Sequence, residues 1–218
     1  MAIFGKSEKK AVKEVKSSSH STTIITSCMN IEGNIKGCGT IHIDGTVHGD
    51  LNIDESVVIG KSGVVYGNVH SKKVMVSGKL KGSLSCDILE VTQTGSISNK
   101  IEAREIISDG TLEATLLASD LIHITQNGKV ETEKMESKHI VVNGHIVGSV
   151  IASELLEINK DGQVKGEMTV KKIKVAEGGL MLGTMLTYEA SNAVKTVNRK
   201  SEENSKKENE SEKEVLEN

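Results

Sequence analysis

The chain has 218 residues and a formal net charge of −3, with no Pro, no Trp, one Phe and two Tyr. An interior without aromatic bulk must be filled by Ile, Val, Leu and Met, which suits a narrow, regular core. The charge balance excludes a general nucleic-acid binder, because neutralising phosphates needs a basic surface. No apolar run reaches the length of a membrane-spanning helix. The opening lacks the apolar core and cleavage site of a secretory signal, so a cytoplasmic location is expected. Cys28, Cys38 and Cys86 have no metal-ligand spacing and read as reduced thiols.

Residues 1–20, MAIFGKSEKKAVKEVKSSSH, hold five Lys against two Glu and read as a disordered basic leader. Its tip is expected to touch a bilayer: Ile3 and Phe4 insert, while Lys6, Lys9 and Lys10, with Lys13 and Lys16 behind them, meet anionic headgroups. The plainer alternative is an ordinary leader with no partner.

Residues 21–188 form the repeat region. A glycine recurs at Gly45, Gly63, Gly78, Gly95, Gly110, Gly128, Gly144 and Gly162, and two residues after each stands an aliphatic one, from Val47 to Val164. The gaps alternate between short and long. Such a repeat predicts a solenoid, in which each unit buries its apolar side against its neighbours. Within a lap the apolar residues have period two, as in Ile41, Ile43, Val47, Leu51 and Ile53. That is a strand signature. Three short strands per lap predict an all-β triangular parallel β-helix of about nine or ten laps. The recurring glycine marks the first corner, where a positive φ or a tight bend is expected. A second glycine often marks the next corner, as at Gly49, Gly67, Gly82, Gly148 and Gly166. The lap around Val130 has one residue too many between 131 and 136, which predicts a bulge.

The histidines do not converge. His42 and His123 alternate outward between aliphatics, and His48 and His145 sit at different offsets within their laps. No metal, cofactor or catalytic site is expected. Asp44, Asp109 and Asp161 precede corner glycines and read as turn residues. Cys86 stands where other laps place Ser or Ala and reads as a small inward filler.

The ends are more informative, because soluble solenoids need polar caps and open edges pair with other chains. The first lap, TIITSCMNIEGNIKG, shows no cap. The last, AEGGLMLGTMLTY, is more apolar than a cap should be. Leu180, Leu182 and Met185 are expected to complete the interior, leaving Met181, Leu186 and Tyr188 for a partner. The full candidate polymer interface is Ile24, Ile25, Met29, Met181, Leu182, Met185, Leu186 and Tyr188. Residues 189–218 are polar, mixed in charge and nearly free of apolar side chains, so a disordered tail is expected.

The opening MAIFGK, the laps IHIDGTVHGDL, VVIGKSGVVYGNV and VMVSGKLKGSL, and the charged tail closely resemble the bactofilins, bacterial polymer-forming cytoskeletal proteins. The resemblance implies a right-handed β-helix. It also implies end-to-end polymerisation without nucleotide, giving apolar filaments, and attachment to the inner membrane face through the tip at Ile3, Phe4 and Lys6. Cell-wall or membrane proteins are the implied clients. Members often carry a polymerisation Phe near the C-terminal end of the helix; this chain has none there, so Met185, Leu186 or Tyr188 would serve. The alternative reading is a left-handed β-helix acyltransferase. Those enzymes keep a strict hexapeptide repeat, which the alternating lap lengths here do not follow. A sugar-binding or ice-binding face would need stacked outward Thr or aromatics, and no such row is present.

Overall fold

The computed structural model describes residues 21–188. The expectations for the leader, including Ile3, Phe4, Lys6, Lys9 and Lys10, and for residues 189–218 lie outside the described residues. Eighteen strands run from Thr22–Ile25 to Leu180–Thr187. Every pairing among them is parallel. They wind into a β-solenoid of about ten laps. The first lap holds Thr22–Ile25, Asn30–Glu32 and Ile35–Gly37, and each of these strands pairs with its counterpart one lap on. Mid-rod, the corners bend so gently that the ladder is continuous: Ser96–Ser108, Thr111–Ile124, Lys129–Val142 and His145–Ile158 are single strands of 13 or 14 residues.

The period-two pattern dictates the core. In-register stacking places like on like, so one inner ladder runs Thr23, Ile41, Val57, Val74, Leu89, Ile106, Ile122, Ile140, Leu156, Ile173. A second runs Ile31, Val47, Val65, Leu80, Ile97, Leu112, Val130, Ile146, Val164, Met181. Between Val57 and Leu156 every rung of the first ladder is fully buried. Burying one such side chain is worth about 1.5–3 kcal/mol. Because each lap touches only its neighbours, the rod is stabilised lap by lap.

The corners divide the labour differently from the expectation. None of the recurring first-corner glycines has positive φ. They are required by space: a Cβ on Gly78 would run into the carbonyl oxygens of Gly60 and Gly63 on the lap before. Positive φ clusters at the second corner, at Gly33, Gly49, Gly67, Gly82, Gly148, Gly166 and Gly183; elsewhere it is taken by Gly39 and by the residues just before two first-corner glycines, Asp161 and Gly178. At the second corner Asn99 takes φ 106° in place of a glycine, while Ala114 and Thr132 turn inward and are buried.

The expected bulge is present. The three-residue step from Glu113 to Leu116 pairs with four from Glu131 to Met135, and the two-residue step from Val147–Gly148 to Val150 sets Thr132 to Met135 one residue long again. The Thr132 hydroxyl closes it by accepting the Lys134 N–H at 3.1 Å and donating to the Lys134 carbonyl at 2.9 Å. Two further insertions lie at the third corner, at Ser119–Asp120 and Ser153–Glu154.

Candidate assembly surfaces

The two ends of the rod are where the stacking stops. At the N-terminal end Ile24 is 65% exposed and Met29 50% exposed. Ile25 is a correction to the candidate interface: it pairs with Ile43 and is only 5% exposed, so it belongs to the core. Its neighbour Ile24 points outward because alternate residues of a strand face opposite sides. Ile31 and Ile35 head their inner ladders and are part-buried, having a lap on one side only.

At the C-terminal end the register reverses the expected assignment of several side chains. Met181 pairs with Val164 and packs against the core, whereas Leu180 and Leu182 point outward. The signal was in the sequence: Gly179 follows Gly162 at the long-lap spacing, so its second follower, Met181, continues the ladder. Met185 does stand in the inner register, opposite Met168, yet it is 50% exposed because no further lap covers it among the described residues. Leu182 and Leu186 are exposed on the flanks, and Tyr188 is half-buried at the end of the last lap. This end is therefore an open parallel edge over half-covered Met181 and Met185, flanked by exposed leucines. Such an edge offers unpaired backbone groups to another chain.

The remaining candidates are accounted for locally. His42 and Asp44 pair at 3.0 Å, and His123 bonds Asn143 at 2.9 Å. His48 stacks on Tyr66 at 4.7 Å, with the Lys81 ammonium 5.5 Å from the Tyr66 ring. The Asp109 carboxyl accepts from the Thr125 hydroxyl and from Asn127 at 3.1 Å. The Thr125 bond leads in holding its pKa below the ordinary carboxylate value. Burial, with the adjacent Asp87 charge, pushes the Cys86 thiol up to about 12, so it stays protonated at neutral pH. Cys28 and Cys38 are exposed. Among the described residues no group of three His, Cys, Asp or Glu is placed to hold a metal ion. Among the described residues there is no helix long and apolar enough to cross a membrane.

One ladder was missed in the sequence. After each second-corner glycine of the early laps comes Asn34, Asp50, Asn68 or Ser83. The Asn34 side chain accepts the Asp50 N–H at 2.8 Å, Asp50 accepts that of Asn68 at 2.8 Å, and Asn68 accepts that of Ser83 at 3.1 Å. The repeated Gly–Asx pair was its signal. Asp50, Asn68 and Ser83 of this ladder also line a cleft of about 390 Å³, together with His70 and Lys100 among others.

Among the described residues neither end of this parallel solenoid carries a cap, which is the geometry of a unit that stacks. The family model described as "Polymer-forming cytoskeletal", that of the bactofilins, matches residues 23–109 and again 105–185. The chain belongs to the bactofilin family. It is similar to bactofilin BacP of Myxococcus xanthus (strain DK1622), with 33% identity over 101 residues, 45% of this chain and 42% of that protein. It is also similar to bactofilin BacO of the same organism, with 32% identity over 90 residues, 40% of this chain and 71% of BacO. The matched segment thus spans less than half of BacP. No solved structure matches the chain significantly. The two matches meet at residues 105–109, inside the strand Ser96–Ser108 and the turn after it. The aliphatic ladders pass unbroken through this overlap, from Ile97 to Leu112 and from Ile106 to Ile122.

Proposed function

We propose that this bactofilin is a non-enzymatic scaffold whose copies join end to end into filaments without nucleotide. The observation that carries the reading is the C-terminal lap, where Met185 stands in the core register but lies half exposed above an open parallel edge. A copy seated there would cover Met181 and Met185 and continue the hydrogen-bonded ladder. The N-terminal end, with Ile31 and Ile35 half-covered and Ile24 and Met29 exposed, is the second stacking surface. Anchoring at the inner face of the cytoplasmic membrane through Ile3, Phe4, Lys6, Lys9 and Lys10, and the holding of cell-wall or membrane proteins there, complete the proposal. They draw on the leader's apolar tip and following lysines.

Negative-stain electron microscopy of the purified chain, with no nucleotide or metal added, is expected to show filaments. Met185→Glu puts a charge on the end face while leaving the other laps intact, and should abolish filaments with the β-sheet circular dichroism unchanged. Filaments that persist in Met185→Glu would remove the C-terminal lap from the contact. A chain that stays monomeric at all salt concentrations would overturn the filament reading.

A further inference from the structure

The third corner, where each lap hands over to the next, carries a row of charges of alternating sign. From the second lap to the ninth it reads Asp54, Lys72, Asp87, Arg104, Asp120, Lys138, Glu154, Lys171. These tips stand just after the inner residues Ile53, Ser71, Cys86, Ala103, Ser137 and Val170, and two residues after Ala118 and Ala152, where Ser119 and Ser153 are inserted. Seven of the eight are exposed and Asp120 is half-buried. At about 4.8 Å per lap the row spans about 34 Å of one edge.

Part of this pattern serves the rod itself. In an in-register parallel stack, like charges one above another repel, so alternation removes a cost. Lys138 bonds Asp120 at 2.9 Å, holding the Asp120 carboxyl below and the Lys138 ammonium above their ordinary values. The flanking row one residue on, with Lys73, Ile88, Glu105, Leu121, His139 and Leu155, shows no such alternation. The pattern is confined to the tips, which face solvent.

Because the row has an even number of members, reversing it inverts every sign. We propose that this edge is a side-by-side interface with a second copy of the chain, lying antiparallel about a two-fold axis between Arg104 and Asp120. In that pairing Asp54 meets Lys171, Lys72 meets Glu154, Asp87 meets Lys138, and Arg104 meets Asp120, each twice. A two-fold contact must be self-complementary, and this row is so at every position. Exposed ion pairs are individually weak. The interface therefore acts where many copies are already joined in filaments, through multivalency, and it fades as salt shortens the screening length.

The test is bundling of the full chain, scored as pairing of filaments by negative-stain microscopy and as low-speed pelleting. Wild type should bundle at low ionic strength and separate into single filaments at about 1 M salt, where the Debye length is about 3 Å. Lys138→Asp sets like charges opposite Asp87 and should reduce low-speed pelleting several-fold while single filaments remain. Asp87→Lys combined with Lys138→Asp should restore it, since those two corners face each other only in the antiparallel register. A parallel, one-lap-offset pairing would be worsened by the same double variant, so failure of rescue overturns the geometry. Lys72→Glu, with and without Glu154→Lys, repeats the test at another pair should Lys138→Asp disturb the Asp120 bond. Unchanged bundling in both single variants overturns the surface. These outcomes are distinct from loss of filaments, which would count against end-to-end assembly alone.

Discussion

At the scale of single residues, the core tolerates polar atoms at a cost. Ser108 is a fully buried rung between Val91 and Ile124, and its Oγ has no hydrogen-bond partner among the described residues. Ser137 shares this condition on another ladder. A buried hydroxyl without a partner costs about 1–3 kcal/mol. Ser108→Ala removes the hydroxyl with little change of volume and should raise the unfolding free energy by about 1 kcal/mol, read from the midpoint of denaturant unfolding at unchanged slope. A lower midpoint would show that the hydroxyl is bonded after all. That Ser108 points inward was legible from alternation alone. That its hydroxyl lacks a partner was not, because partners come from laps about sixteen residues away.

At the scale of elements, strands were legible and corners only half so. The period-two runs mark the inner rungs of the middle laps, because a strand's side chains must alternate. Corner glycines looked alike in sequence but do two different jobs, since neither φ nor the approach of the preceding lap is written locally. Gly166 has φ +136°, and a Cβ there would meet the carbonyl of Gly148. Gly33 has φ +131°, but nothing lies within 4 Å of its Cβ position. Backbone strain of this kind costs about 1–3 kcal/mol. Gly33→Ala should show that cost alone, and Gly166→Ala distinctly more, in chemical denaturation of the two variants. Equal losses would mean that the close approach yields without cost.

At the scale of the whole molecule, the proposed reading has the rod stack through its ends, pair along one charged edge and meet a membrane through Ile3 and Phe4. Removing residues 2–10 should abolish co-sedimentation with anionic vesicles while filaments still form; retained co-sedimentation would place the anchor elsewhere in the chain. The sequence by itself determined the solenoid, its family and its inward residues, because in a parallel stack each of these is a local periodicity repeated lap after lap. Only the tertiary structure decided that Ile25 is buried in the core while Ile24 faces out. It also decided which corner needs positive φ and how the third-corner charges line up along one edge. Those depend on register between laps, and a register shift of one residue exchanges the faces of a strand. The recurring glycine sets that register, and at the last lap it is Gly179 that does so.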